Sequence, residues 1–458
     1  MSPRKLSVFA FCFFDAWLVS FAYEGQILYT LLDSRALDSA HLVRGAILAH
    51  AAGLFLCGFF VRTRKSAQNV MAVGAAVCLA GSAFFLSPAA ALWPAALLSA
   101  AFAAGFWNAA WGFCYRDFFA AQERMKAAAI SLAGGTLLMA VLDLTAVCLH
   151  PLAGLLLSML CLAAACGCVL CCRRENPGEE TAAAVPAASV PLGRPLALLC
   201  LFIAAVTVAS GLMFQVVNPA FAHLGLLTTV YWAVPYVAAM IAAVRLPRRV
   251  NRSYLLFAAL SMIGFGFLAF MVLDRSAWSY LIVDTLLLGA FGITDLFWWS
   301  ILGEMLEFHP NPARIMGTGL SVNVAGVLLG ESISGALRSS APAASAAVSL
   351  ASVCAAVVIL PILYNRLVLL LKNSAFLQTL EEMSPEKQRQ TLDSLLAVPD
   401  LTVREREITA LLLKGYTYRL IAQELFISES TVKTHIQNIY SKLNVCSKTE
   451  LIRRLRRP

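Results

Sequence analysis

The chain has 458 residues, of which 60% are hydrophobic and only 13% charged, and its mean hydropathy is +0.76. A water-soluble fold carries roughly a quarter charged residues, and a larger core still needs a wetted surface, so a single soluble domain is excluded and a bilayer is implied as solvent. The formal net charge is +9, and residues 400–458 hold eleven Lys/Arg against six Asp/Glu without a long apolar run, so a second, basic, water-facing domain is expected at the C-terminal end.

In chain order, Arg4 and Lys5 precede a long apolar run with no small-residue cleavage pattern, so no cleavable signal is expected. Twelve apolar segments of spanning length follow, at about 6–32, 42–61, 69–86, 89–112, 127–149, 152–172, 196–219, 224–244, 254–273, 278–302, 315–335 and 343–371. Each can cross a hydrocarbon core of ~30 Å at ~1.5 Å per helical residue. Placing the N-terminus inside puts eighteen Lys/Arg in the inner loops and only Arg35, Arg44, Arg275 and Arg338 in the outer ones. The positive-inside bias therefore selects that orientation, and an even span number puts the C-terminal domain in the cytoplasm of a bacterial cell.

The Ala- and Pro-rich stretch 173–195 has no apolar period and reads as a linker between two six-span halves, 1–172 and 196–372. A basic loop follows the second span of each half, at Arg62, Arg64 and Lys65 and at Arg245, Arg248 and Arg249. This layout resembles the major facilitator superfamily over residues 6–371, although that family's acidic residue and paired glycines are not cleanly present in the first basic loop. Cys166, Cys168, Cys171 and Cys172 form the one cluster among thirteen cysteines. No second cluster or nearby His completes a metal site, so they read as helix packing, and neither metal nor cofactor is expected.

Carboxylates inside spans are costly and mark cavities or partners. Asp15, Asp143 and Asp295 lie deepest, with Glu24, Asp284 and Glu331 nearer the outer ends. With Trp107, Asn108 and Trp111 the three deep aspartates make the candidate ligand or ion site of the membrane domain. Trp17, Trp298 and Trp299 are further candidates for the cavity wall.

Residues 373–400 read as a second linker, in which Ser384-Pro385-Glu386 has the form of a helix start. Four helices are expected in 401–458. Thr402 and Glu405 have capping-box spacing, Gly415 is a stop, Thr417 and Ser428 are caps, Ile427 is the turn, Asn444 suits a left-handed stop, and Ser447 with Glu450 repeats the box. Val432, Ile436, Ile439 and Leu443 form one apolar stripe on the third helix. The opposite face holds Ser430, Lys433, Thr434, Gln437, Asn438 and Ser441, donors and acceptors suited to base edges and phosphates.

Leu401-Thr402, Arg404-Glu405, Gly415, Ile421-Ala422, Leu425, Ile427-Ser428, Thr431-Val432-Lys433, His435, Lys442-Leu443 and Glu450-Leu451 together resemble the LuxR/GerE-type helix-turn-helix domain. Leu420 and Lys448 depart from its usual Glu and Arg, away from the groove-facing surface. The resemblance implies base contacts from Lys433, Thr434 and Gln437. It also implies backbone contacts from Ser428, Ser430, Thr431, His435 and Lys442, and pairing of two subunits on DNA through the fourth helix. The basic tail Arg453, Arg454, Arg456 and Arg457 adds salt-sensitive phosphate attraction.

No HExxH, GxSxG or phosphate-binding Gly-rich loop occurs, so an enzyme is not expected. There is no receiver-like or soluble signal-binding segment either. The expected fold is all-α: a polytopic domain of about twelve spans with a C-terminal four-helix helix-turn-helix domain at 401–458. The expected function is a membrane-bound transcriptional regulator. Its partners would be double-stranded DNA, the bilayer, a second copy of itself and an unknown small-molecule signal. The alternative is a major-facilitator-type transporter that also regulates transcription.

Overall fold

The computed structural model describes residues 2–23, 25–35, 39–175, 192–246, 252–336, 347–363, 386, 401–413, 416, 418–445 and 448–455. Among these residues the regular structure is helical throughout, with no strand. The chain divides into two compact units, the first formed by 1–179, 197–306 and 311–360, and the second containing 361–458.

The first unit is built from α1 (Pro3–Trp17), α2 (Gln26–Asp33), α3 (Ser39–Phe60), α4 (Arg64–Ala83), α5 (Trp93–Phe118), α6 (Ala121–Cys148) and α7 (Pro151–Glu175). It continues with α8 (Gly193–Leu212), the short α9 (Asn218–Ala220) and α10 (Leu226–Val230), then α11 (Ala233–Arg245), α12 (Arg252–Val272), α13 (Ala277–Met305), α14 (Pro312–Ala336) and α15 (Ala347–Leu363). Eleven helical stretches among the described residues are long and apolar enough to cross a membrane, and they coincide with the first eleven expected spans. For the twelfth, expected over 343–371, the described part is the 17-residue α15. Residues 343–346 and 364–371 fall outside the described residues, as do 176–191 of the first linker and, Glu386 excepted, the expected second linker.

The span ends are set by local chemistry. Thr63 caps α4 by accepting from the Ser66 amide at 3.2 Å, and Ser276 caps α13. The turn between α6 and α7 is very short because His150 Nδ1 accepts from the Leu152 amide at 3.1 Å, with Pro151 opening the next helix. Packing between spans relies on small residues. A Cβ on Gly53 would overlap the Phe102 carbonyl, and one on Gly105 the His50 carbonyl, so α3 and α5 touch backbone to backbone. Gly211 and Gly330 do the same for α8 and α14.

Two spans are not uniform α-helix. Leu18–Ala22 after α1 and Met213–Val217 after α8 are π-helical. They occupy matching places in the first spans of the two halves, and such widened turns recur at functional sites. The amino-acid pattern gives no sign of them, because a π-turn changes the register of backbone hydrogen bonds and leaves apolar composition unaltered.

The second unit carries α16 (Val403–Leu413), α17 (Tyr418–Glu424), α18 (Glu429–Lys442) and α19 (Lys448–Leu455). Its core is the expected stripe of Val432, Ile436, Ile439 and Leu443 packed with Leu401, Ile408, Leu412, Ile421, Leu451 and Leu455. Leu411 and Leu425 pack against that core while partly buried. Leu420 is 45% exposed, so the departure at this position lies outside the buried core.

Candidate functional site: a nucleic-acid face and a membrane cavity

The helix-turn-helix unit is held by paired polar contacts. The Thr402 amide donates to Glu405 Oε2 at 2.8 Å and the Glu405 amide to Thr402 Oγ1 at 3.2 Å, which is the reciprocal capping box expected at 402–405. Glu405 does more than cap. Its buried Oε2 also accepts from Lys442 Nζ at 2.7 Å, tying the start of α16 to the end of α18. Burial pushes this carboxyl up, but the Lys442 and Thr402 hydrogen bonds outweigh burial and hold it below its ordinary value of 4.5. Arg404 joins the second connection, donating to the Leu425 carbonyl at 2.7 Å at the end of α17.

The tight turn between α17 and α18 turns on Phe426, one residue before the expected position. Phe426 has φ 54°, and the Ile427 amide donates to the Ala422 carbonyl at 2.9 Å, closing a Schellman-type cap. Asn444, with φ 50°, and Val445 repeat the motif at the end of α18. The caps expected at Thr417 and Ser447, and the stop at Gly415, lie outside the described residues.

Ser428 opens α18, accepting from the Thr431 amide at 3.1 Å. Ser428, Ser430, Thr431, Lys433, Thr434, Gln437 and Asn438 are all exposed, whereas His435 is half-buried. Ser430, Thr434, Gln437 and Ser441 fall at helical spacing on one side, with Lys433 beside them. Lys433 Nζ lies 3.1 Å from Glu429 Oε1, and Thr434 Oγ1 donates to the Ser430 carbonyl at 3.1 Å. Lys442 is exposed in part but is the one candidate held against a buried carboxylate.

In the first unit a cavity of about 940 Å³ opens among the spans. Asp15, Asp143, Asp295 and Asn108 line it, together with Asp284, Trp298 and Trp299. Trp107 and Trp111 stand behind the wall. Trp107 stacks on Phe14 with ring centroids 3.8 Å apart, and Trp111 Nε1 donates to the Ser7 carbonyl at 3.2 Å. Trp17 is likewise buried, its Nε1 donating to Ser82 Oγ at 2.9 Å. Helical spacing alone could not separate these tryptophans from Trp298 and Trp299, because which side of a span faces a cavity depends on neighbours distant in sequence.

Asp295 is fixed by two donors, Tyr236 Oη at 2.8 Å and Trp298 Nε1 at 3.0 Å. Gly135 faces Asp15 at a point where a Cβ would collide with the carboxylate. The two π-turns contribute Leu18, Val19, Met213 and Phe214 to the wall. At the end of the spans that bears the basic loops, the two halves are latched: Asn311 Nδ2 donates to the Gly58 carbonyl at 2.8 Å, and buried Arg124 donates to the Gly303 carbonyl at 2.8 Å. The cavity wall extends toward the opposite end, reaching Ala222 and Gly225.

Fold and site together define a polytopic membrane protein that carries a helix-turn-helix DNA-binding domain. Residues 399–455 match the family described as bacterial regulatory proteins, luxR family (GerE), and this segment is a LuxR-family domain. The similar segment of the monoamine regulon transcriptional regulator of Klebsiella aerogenes is 48% identical over 65 residues, 14% of this chain and 28% of that protein. The transcriptional regulatory protein LiaR of Bacillus subtilis (strain 168) is 47% identical over 62 residues, 14% of this chain and 29% of that one. The HTH-type transcriptional regulator MalT of Vibrio campbellii is 41% identical over 58 residues, 13% of this chain and 6% of MalT. The likeness to these proteins is thus confined to the DNA-binding segment, and the chain spans under a third of their lengths.

The membrane domain has a different likeness. A crystal structure of a bacterial homologue of the iron transporter ferroportin in its outward-facing state superimposes with TM-score 0.61 at 16% identity, over 80% of this chain and 100% of that one. A second such structure, with soaked iron, gives TM-score 0.59 at 16% identity, over 79% and 98%. The membrane domain therefore shares the fold of these two structures.

Proposed function

We propose that this protein is a membrane-bound transcriptional regulator that binds DNA sequence-specifically through α18 and is controlled by a signal taken up in the membrane cavity. The observation that carries the reading is the union, in one chain, of a LuxR-family domain with an exposed polar face and a transporter-folded domain with a formed cavity. Lys433, Thr434 and Gln437 are the base-reading residues. Ser428, Ser430, Thr431, His435, Asn438 and Lys442 hold the phosphate backbone, Lys442 exchanging Glu405 for a phosphate or bridging both. Two copies pair on DNA through α19, with the half-site spacing set by that dimer.

Both termini are cytoplasmic, by the eighteen-to-four distribution of basic residues. The latch at Asn311 and Arg124 then closes the cytoplasmic side, and the cavity faces outward. The membrane domain is 1–372 and the DNA-binding domain 401–458, joined through 373–400. The chain acts as a regulator and not as an enzyme. The test is genome-wide mapping of bound DNA for the intact protein and for a Lys433→Ala, Thr434→Ala variant. Loss of site occupancy in the variant is expected, and unchanged occupancy would remove the assigned reading face.

The carboxylate-lined cavity in a transporter fold favours one second reading, a working transporter that also regulates transcription. Uptake into proteoliposomes that is abolished by Asp15→Asn or Asp295→Asn would select it over pure sensing.

A further inference from the structure

We propose that the membrane cavity binds an organic cation, an amine or quaternary ammonium with an aromatic or aliphatic body; the inference rests on reading that cavity as the sensory site. Its volume, about 940 Å³, suits a small organic molecule. Four aspartates line it, Asp15 on α1, Asp143 on α6, and Asp284 and Asp295 on α13, and among the described lining residues there is no lysine or arginine. A carboxylate held away from water calls for a countercharge or a proton.

The hydrogen-bonding inventory of the wall points the same way. Asp143 and Asp284 are 2% and 1% exposed, and Asp143 Oδ1 and Asp284 Oδ2 have no partner among the described residues. Asn108, 7% exposed, leaves Oδ1 equally unpartnered. All three atoms are oxygen acceptors, and no buried donor among the described residues of the wall is left unpaired. These acceptors suit a ligand that donates hydrogen bonds or carries positive charge. An anion would meet a wall of carboxylates, and a neutral molecule would leave each of them to be neutralised by a proton alone.

The geometry favours an organic cation over a metal ion. No group of three or more His, Cys, Asp or Glu among the described residues comes close enough to hold a metal. Hard divalent ions need about six oxygen ligands gathered on one point, whereas these carboxylates are spread around a large wall. Phe11, Trp298 and Trp299 supply apolar faces that attract an ammonium through their ring quadrupoles. Asp15 and Asp143 belong to one half of the domain and Asp284 and Asp295 to the other. A cation between them removes the like-charge repulsion that opposes approach of the halves, which gives ligand binding a conformational consequence.

The test uses the full chain in lipid nanodiscs, with binding read by calorimetry and by tryptophan fluorescence. The probes are phenethylamine and benzyltrimethylammonium, with 2-phenylethanol and phenylacetate as neutral and anionic analogues and manganous ion as the metal arm. At least one of the two cations is expected to bind at least tenfold more tightly than either analogue. Asp143→Asn and Asp284→Asn should each weaken it about tenfold, while the wild-type charge preference stands as evidence independent of how the variants fold. Equal binding of 2-phenylethanol, no binding of either cation, or manganous ion as the sole tight ligand would overturn the proposal. Cation binding that leaves DNA occupancy unchanged would instead remove the sensory reading and keep the cation site.

Discussion

Glu405 stands where the start of α16 meets the end of α18, accepting from Thr402 and from Lys442 with its carboxylate buried. Hydrogen bonds to a charged group contribute about 1.5–3 kcal/mol each when their loss strands a buried partner. Lys442→Met is thus expected to destabilise the DNA-binding domain by about 2 kcal/mol, read as a lower urea midpoint. Glu405 is held below its ordinary value of 4.5, so its contribution is complete above that pH and is lost as the pH falls through the depressed folded value. Glu405→Gln should flatten the acid limb of a stability-versus-pH curve, and an unchanged limb would show that other carboxylates govern it. Phe426 poses the opposite case. It holds φ 54° with its side chain 96% exposed, so it bears left-handed strain without burying its ring. Because Asn tolerates that region far better, Phe426→Asn should raise stability by about 1 kcal/mol. The capping box, Ser428 and Asn444 are legible in the sequence because caps are local. The Lys442 pairing and the Phe426 turn are not, since one joins residues 37 apart and the other is fixed by how α17 meets α18.

At the scale of the element, α18 presents its polar face with Lys433 partly neutralised by Glu429 at 3.1 Å. An exposed i, i+4 pair contributes only ~0.3–0.5 kcal/mol, so little holds Lys433 back from a DNA contact. Glu429→Gln is expected to tighten DNA binding several-fold at low salt. It should also cost the helix a few tenths of a kcal/mol through the loss of an anion at its N-terminus. Lys433→Ala should lower the salt slope of binding by about 1 if its ammonium meets a phosphate, and relax base preference if it meets a base. Gel-shift titrations at several salt concentrations separate the two. In the membrane unit, Gly53 and Gly105 permit backbone contact between α3 and α5. Gly53→Val places two methyls against the Phe102 carbonyl and should cost more than ~1–3 kcal/mol, seen as loss of a monodisperse peak from detergent extracts.

For the whole molecule, the latch formed by Asn311 with Gly58 and by Arg124 with Gly303 holds the two halves together at the end bearing the basic loops. Asn311→Ala should raise thiol-reagent access to the cavity from the end bearing the basic loops, measured on a cysteine placed at Asn108 in a background without the native cysteines. Unaltered access would mean that Arg124 and the close helix packing suffice. Eleven of the twelve expected spans, the basic helical domain at the end and its apolar core were readable from the chain. The bilayer imposes length and composition on every span, and a small helical domain repeats its apolar face every three or four residues. The sequence also brought forward Asp15, Asp143, Asp295 and Asn108, because a polar side chain inside an apolar run is conspicuous wherever it points. Only the tertiary structure decided that Trp298 and Trp299 reach the cavity while Trp107 and Trp111 pack behind it, that both first spans widen into π-turns, and that the unpaired atoms of the wall are all acceptors. These depend on which helix faces meet across long sequence distances, and hydrophobic periodicity is blind to that choice when a span is apolar on every side.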